Sequence, residues 1–231
     1  LSKKFTEMQD YSEVTAGFMW QKTTRESKKY QLRGEILSFI PVEKNVEVML
    51  VTITNTGRMA QTVTPTAAIP LYGRSADNIR DHRHVTSLLH RIETTDIGVL
   101  VTPTLSFDER GHQVNHMTYY CVGWSGNGEK PVDFYPTAED FVGEGGNFER
   151  PYAIVKNAEG VKAGTRIEGL EAVGGLHFSE VTLEPEEECS YLIFTGITED
   201  IQEIRNLSKT YTTREKVLEE LEKTKAYWQE K

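Results

Sequence analysis

The densest group of side chains that could do chemistry lies in residues 72–86, directly before the apolar pair Leu88-Leu89. Guanidinium, imidazole, carboxylate and amide groups stand close together there, on Arg74, Asp77, Asn78, Arg80, Asp81, His82, Arg83 and His84. Arginines beside Asn and Asp can hydrogen-bond the vicinal hydroxyls of a sugar or hold an anion by a two-point contact. The same side chains could instead satisfy one another in a salt-bridge network that fastens a long loop to the protein. Both interpretations stay open, and these residues are candidates for contact with a substrate or an interface.

A metal site is the weaker interpretation of this segment. His82 and His84 would share one face of an extended chain, with Asp81 and His90 as further ligands. Their spacing matches no common metal-binding pattern, and the flanking arginines would repel a cation. We therefore predict no metal site. Hydrogen-bonded structural roles are predicted for the dispersed histidines His112, His116 and His177.

The common catalytic motifs are absent from the sequence. It contains no Gly-x-Ser-x-Gly elbow and no glycine-rich nucleotide loop ending in Gly-Lys-Ser or Gly-Lys-Thr. Residues 143–146 are rich in glycine, but Glu144 stands where a phosphate would need neutral donors. A pair of catalytic carboxylates cannot be chosen by counting among 35 acidic residues. A glycosidase-type pair therefore stays open at this point, and no catalytic residue is assigned.

Aromatic side chains offer a possible platform for stacking a sugar ring, but most of them are expected to pack in the core. Tyr119 and Tyr120 lie next to each other in a strand, so they point to opposite faces. We expect Trp124 and Tyr135 to be the more exposed members of the group and the candidates for sugar stacking.

The segments that position these residues have mainly the pattern of β-strands. Residues 46–55 are rich in β-branched side chains and end in Asn55-Thr56-Gly57, which indicates a turn. Residues 61–70 are predicted to form the hairpin partner, although two prolines place that strand at an edge or a bulge. Residues 30–39 are predicted to pair with the strand that begins at Val46. Further strands are predicted at residues 87–94, 97–107, 116–123, 177–183 and 190–196.

The rest of the chain differs from this pattern in two places. Residues 125–175 are broken by glycines and prolines, and their aromatic side chains predict a long segment packed onto the domain. Helices are predicted at residues 201–207 and from Thr213 to about Glu230, the second with a capping box in Thr212-Thr213-Arg214-Glu215. We therefore predict an all-β antiparallel sandwich in residues 1–197 and a helical linker in residues 198–231.

Composition narrows the classes of protein further. The chain has 231 residues and a net charge of −9, which argues against a nucleic-acid partner bound through its phosphates. No apolar run is long enough to span a membrane. Cys121 and Cys189 are far apart in the sequence and are expected to be buried thiols. The chain opens on Leu1, and we expect it to be a piece of a longer protein.

The run AIPLYGRSADNIRDHRHVTSLLHRI, residues 68–92, resembles the N-terminal β-sandwich region of glycoside hydrolase family 94 phosphorylases. Within that family the resemblance is strongest to the 1,2-β-oligoglucan phosphorylase branch. Three other features agree in order along the chain: VTITNTGRMAQTVTPT, the glycine-rich DFVGEGGNFERPYAI, and the closing helix, which is similar to the linker before a catalytic barrel.

The resemblance implies a supersandwich of the galactose-mutarotase-like type. It also implies a cytoplasmic enzyme with no cofactor. That enzyme would use inorganic phosphate as co-substrate to cleave β-glucosidic bonds and release α-glucose 1-phosphate. One carboxylic acid protonates the leaving oxygen while phosphate attacks the opposite face of the sugar. That acid belongs to a helical barrel beyond this chain. The sandwich would then contact its own barrel, a second subunit of a homodimer and the oligosaccharide.

Two other functions remain open at the level of sequence. An independent carbohydrate-binding module would bind β-glucan oligosaccharides by itself. A complete aldose mutarotase-like enzyme would need His82, His84 or His177 deep in a concave sheet, an interpretation that rests on fold analogy alone.

Overall fold

The computed structural model describes residues 10–73, 86–108 and 111–231. The strands in these ranges are β1 (Tyr11–Gly17), β2 (Trp20–Ser27), β3 (Leu32–Phe39), β4 (Val46–Asn55), β5 (Gln61–Val63), β6 (Thr66–Leu71), β7 (His90–Thr94), β8 (Gly98–Pro103), β9 (Leu105–Asp108), β10 (Gly111–Val114), β11 (Thr118–Ser125), β12 (Asp133–Thr137), β13 (Arg166–Glu168), β14 (Ala172–His177), β15 (Val181–Leu183) and β16 (Glu188–Thr198). The helices are α1 (Ala138–Val142), α2 (Tyr152–Lys156), α3 (Ile201–Thr210) and α4 (Arg214–Gln229).

Two antiparallel sheets organise the described part of the chain. The large sheet has nine strands in the order β1-β2-β3-β4-β16-β11-β8-β7-β13. The small sheet has three strands in the order β12-β14-β6, and two further ribbons pair β9 with β10 and β5 with β15. These sheets confirm the prediction of a large antiparallel β-sandwich followed by C-terminal helices.

The central strands of the large sheet are apolar on both faces. In β4, Val48 and Leu50 point to one face, whereas Met49 and Val51 point to the other. Because successive side chains of a strand alternate between faces, such a strand needs an apolar partner layer on each side. The chain provides two different layers, one of helices and one of strands.

The helical layer covers the first face. Ile204 and Leu207 of α3, with Val217 and Leu221 of α4, join one core cluster with the large sheet. Tyr211, between the two helices, is 1% exposed. Its hydroxyl accepts a hydrogen bond from Lys44 Nζ at 3.0 Å, and its backbone carbonyl accepts one from Trp124 Nε1 at 3.1 Å. The two helices are therefore packed into the core of the domain.

The small sheet covers part of the second face, above β7, β8 and β11. The two sheets approach most closely where Cys121 of β11 meets Gly174 of β14. A Cβ atom built on Gly174 would stand 2.2 Å from Cys121 Cβ, so only glycine fits at that position. Cys121 is completely buried and its Sγ lies 3.6 Å from the Gly174 carbonyl oxygen. The prediction of a buried structural thiol is confirmed for Cys121.

Strand pairing follows the prediction in one place and departs from it in another. The predicted pairing of residues 30–39 with the strand at Val46 is confirmed, since β3 pairs with β4 along eight positions. The predicted hairpin between residues 46–55 and 61–70 is wrong, because β4 lies between β3 and β16 and has no free edge. Pro65 divides residues 61–70 into β5 and β6, which pair with β15 and β14 instead. β6 contains Pro70 and lies at an edge, as proline predicts.

Three further strand boundaries differ from the prediction. Residues 97–107 divide at Thr104 into β8 and β9, and residues 177–183 span the end of β14 and the whole of β15. β7 begins at His90, three residues later than predicted. In residues 125–175, Phe134 and Phe141 pack inward as expected. Phe148 and Tyr152 are 42% and 51% exposed, so the prediction is wrong for them.

The C-terminal helices largely follow their predicted pattern. The Asp200 side chain caps α3 by accepting from Gln202 N at 2.8 Å, and α3 runs three residues beyond the predicted end. α4 begins after Thr213, whose side chain makes no capping bond, so the predicted capping box is wrong. The buried face of α4 carries Val217, Leu221 and Thr224, whereas Trp228 near its end is 36% exposed. The predicted boundary between a sandwich in residues 1–197 and a linker in residues 198–231 stays a prediction.

Among the described residues, no helix combines the length and apolar character that crossing a membrane would need.

Replacing Leu221 with Ala should lower the free energy of unfolding by about 2–5 kcal/mol, because it opens a cavity under α4 in the shared core. Urea denaturation followed by circular dichroism measures this change. Glu222→Ala, at an exposed position of the same helix, is the control and should change stability by less than about 0.5 kcal/mol. Equal stabilities of the two variants would show that α4 is not part of the cooperative domain.

Candidate functional site

The segment with the densest predicted chemistry lies outside the described residues. This applies to all eight of its candidate residues: Arg74, Asp77, Asn78, Arg80, Asp81, His82, Arg83 and His84. Its two ends are described. Tyr72 follows β6, Thr86 and Ser87 precede β7, and all three residues line one small cavity. The cavity therefore marks where the segment leaves the sandwich and returns to it.

This cavity has a volume of about 30 Å³, enough for one water molecule, and His90 forms part of its wall. His90 is 3% exposed, and its Nδ1 lies 3.1 Å from the carbonyl oxygen of Leu170. Its Nε2 is buried and makes no hydrogen bond of good geometry. Gly73 stands beside that atom: a Cβ built on Gly73 would be 3.2 Å from Nε2.

Burial sets the charge state of this histidine. Loss of solvent around the ring lowers the pKa of His90 from its ordinary value of 6.5. The backbone carbonyls of Leu170 and Gly73 and the charge of Glu171 act in the opposite direction but do not outweigh burial. His90 is therefore a neutral imidazole at neutral pH, with Nδ1–H donating to Leu170.

A second depression, of about 470 Å³, adjoins the cavity and shares Phe148 and Glu171 with it. Its rim is the glycine-rich loop after α1. Gly143 and Gly145 have φ values of 77° and 66°, which side chains with a Cβ rarely adopt. A Cβ on Gly146 would stand 1.9 Å from the Val142 carbonyl oxygen. The glycines are thus required by the backbone path that shapes this rim.

The cavity and the depression together form the candidate site, at one end of the small sheet. The buried imidazole of His90 lines the cavity, and Glu171 lines both the cavity and the depression. Sequence reasoning considered His90 only as a metal ligand and missed Thr86, Ser87 and Glu171. The available signal was weak: Glu171 is a polar residue directly before the apolar strand β14. Within the ranges that the structure describes, no group of three His, Cys, Asp or Glu side chains could hold a metal ion.

The expected exposure of Trp124 and Tyr135 is wrong. They are 4% and 2% exposed. The Trp124 ring stacks on Phe194 with centroids 4.8 Å apart, and the Tyr135 hydroxyl donates to the Ala158 carbonyl at 2.7 Å. Neither ring presents a face for stacking a sugar, because Trp124 packs in the core shared with α3 and α4 and Tyr135 packs against Phe141 and Ala153 of α1 and α2.

Two further described histidines, His177 and His116, do not line the candidate site. His177 Nδ1 is 2.6 Å from Asp133 Oδ1, across the pair of strands β12 and β14. This contact gives His177 the hydrogen-bonded role that the sequence predicts. His116 is exposed, and the side chain of His112 lies outside the described residues.

The two cysteines are free thiols in different surroundings. Burial raises the pKa of Cys121 to about 12, so it stays protonated. Cys189 is only partly buried, and burial also raises its pKa, with Tyr191 as a hydrogen-bonding neighbour. Neither thiol has the depressed pKa of a reactive nucleophile.

The fold and the site define a class of protein before any comparison: an antiparallel supersandwich with a small cavity and an adjoining depression at one end of its small sheet. A comparison with known families agrees. The chain matches the supersandwich domain of glycosyl hydrolase family 94 over residues 4–214, and it therefore belongs to that family. The resemblance in residues 68–92 is thus confirmed at the level of the family. No curated protein matches the chain in a sequence search.

His90→Asn should reduce the loss of stability at acidic pH. The pKa of His90 in the folded chain lies below its ordinary value of 6.5, so the unfolded chain takes up a proton first as the pH falls. The free energy of unfolding therefore decreases between the pKa of the unfolded chain and that of the folded chain. Asn keeps a donor for Leu170 but does not titrate. Urea denaturation at about pH 7.5 and about pH 5.5 measures the difference. His116→Asn, at an exposed site, should keep the wild-type dependence, and an unchanged dependence in His90→Asn would contradict the assignment of a buried neutral imidazole.

Proposed function

We propose that this chain is the non-catalytic supersandwich domain of an inverting glycoside phosphorylase that acts on β-glucan oligosaccharides in the cytoplasm, as the resemblance to the 1,2-β-oligoglucan phosphorylase branch suggests. The match to the family 94 supersandwich domain over residues 4–214 is the observation that carries this proposal. The catalytic acid would lie in a helical barrel of the same protein, with inorganic phosphate as the nucleophile and no cofactor.

The candidate site gives the domain a role beside the reaction. Residues 74–85 connect the two chain ends that line the cavity at His90, next to the glycine-rich rim. We propose that this segment forms one wall of the sugar site, with arginine side chains that hydrogen-bond vicinal hydroxyls. The domain would then position the oligosaccharide while the barrel performs the chemistry.

Arg80→Ala and Arg83→Ala in the complete enzyme should each lower kcat/KM for phosphorolysis of β-1,2-glucan oligosaccharides by about tenfold or more, the effect of losing a hydrogen bond to a charged group. Release of α-glucose 1-phosphate measures the reaction. Arg166→Ala is the matched control, since Arg166 is an exposed arginine paired with Glu93 at 3.3 Å on β13 and β7. Unchanged kinetics in both test variants would remove residues 74–85 from the sugar site.

The isolated chain separates this proposal from the alternatives. As a supporting domain it should bind β-glucan oligosaccharides weakly or not at all in calorimetry, and it should release no sugar phosphate. Tight binding by the isolated chain would favour a carbohydrate-binding module. Conversion between the anomers of an aldose by the isolated chain would favour a mutarotase-like enzyme, and sugar phosphate production would overturn the non-catalytic assignment.

We also propose that the domain contributes to a homodimer of the complete enzyme. The hairpin of β1 and β2 carries large apolar side chains in solvent: Val14, Phe18 and Met19 are 63%, 75% and 42% exposed. Exposed apolar groups clustered in this way mark interaction surfaces.

Phe18→Ser should weaken dimerisation of the complete enzyme by about tenfold or more, measured by sedimentation equilibrium, if this hairpin lies at the subunit interface. Met59 is an apolar residue outside this hairpin and is 76% exposed, so Met59→Ser is the control and should leave the dimer intact. An unchanged dissociation constant for Phe18→Ser would exclude the hairpin from the interface.

A further inference from the structure

A cleft of about 650 Å³ lies on the helical side of the large sheet, away from the candidate site. One wall is α3, and the opposite wall is formed by the turns before β8 and β12, with Asp96, Gly128 and Lys130. The base includes Trp124 and Ile97, which are 4% and 9% exposed. The cleft is within the size range of sites for small molecules.

One face of α3 presents its polar side chains to this cleft. Gln202, Arg205 and Lys209 follow one another at helical spacing on α3, Thr212 lies two residues beyond the end of the helix, and all four line the cleft. Arg205 and Lys209 stand one turn apart, so their charged groups can reach the same bound molecule. Gln202 and Thr212 add neutral donors on either side.

The charges in the cleft are positive although the chain as a whole is acidic. The chain has 35 acidic residues against 26 lysines and arginines. Arg205 and Lys209 nevertheless make no side-chain ion pair or hydrogen bond within the described part of the chain. Asp96, the acidic residue of the lining, is held by Lys130 Nζ at 2.5 Å. Two cations therefore face the cleft without a protein partner.

We infer that this cleft binds a small phosphate-bearing anion between Arg205 and Lys209. A guanidinium group can hold two oxygens of a phosphate at once, and an ammonium group adds a point charge. A phosphate dianion would balance both unpaired cations, and Gln202 and Thr212 would donate to its remaining oxygens. The site involves only α3 and the two turns, so it does not depend on the proposed phosphorylase function.

Titration of the ¹⁵N-labelled chain with inorganic phosphate and with glucose 6-phosphate, at constant ionic strength, tests this inference. Trp124 donates its indole N–H to Tyr211 at the base of the cleft, so its signal should shift with saturation. The indole signals of Trp20 and Trp228, outside the cleft lining, are internal controls. Comparing inorganic phosphate with glucose 6-phosphate distinguishes a site for the free anion from a site for a phosphate ester. Glucose alone shows whether the sugar ring binds without the phosphate group.

Arg205→Gln and Lys209→Gln should each weaken binding by about tenfold or more, whereas Lys216→Gln, an exposed cation of α4, should leave it unchanged. Circular dichroism of each variant checks that it folds. Saturable shifts with either phosphate compound, lost in both cleft variants, would support the site. No shift at tens of millimolar, equal binding by the cleft variants, equal shifts with chloride, or equal affinity for glucose would each overturn it.

Discussion

The large sheet is apolar on both faces along its centre, and the rest of the structure depends on this constraint. β4, β16 and β11 bury Val48, Phe194 and Val122 on one side and Met49, Ile193 and Cys121 on the other. Covering these faces is favourable, because each apolar side chain left in water would forgo about 1.5–3 kcal/mol of burial. The helices and the small sheet are therefore required by the composition of the strands between them.

Coverage of both faces also decides where polar chemistry can lie. The two sheets are closely packed where Gly174 fits against Cys121. Polar groups are displaced to the rims, where turns and chain ends leave the layers. The cavity at His90 lies at the rim of the small sheet, and the cleft at Arg205 lies at the rim of the helical layer. The two sites are thus separated by the sheet itself.

The sequence predicts those features that a single element determines. Alternation and β-branched residues are enough for β3, β4 and their pairing, and one carboxylate, Asp200, is enough to mark the start of α3. Features that depend on two layers could not be predicted. The sequence predicts that Trp124 is exposed and could stack on a sugar. In the structure a helix packs above its ring, and its indole N–H donates to the backbone carbonyl of Tyr211, 87 residues further along the chain. The candidate site was missed for the same reason. Glu171 precedes a strand of the small sheet and Ser87 precedes a strand of the large sheet, and both line the cavity only in the folded domain.

The buried carboxylate of Asp133 shows how the fold uses a polar side chain to join two strands. A general acid needs a carboxyl group whose proton is available to a substrate oxygen. Asp133 is a well-buried carboxylate, 7% exposed, but one oxygen contacts His177 at 2.6 Å and the other lies 4.0 Å from Lys162. These contacts hold the Asp133 side chain in place, so Asp133 serves to join β12 to β14. Both oxygens of Asp133 therefore have partners within the domain.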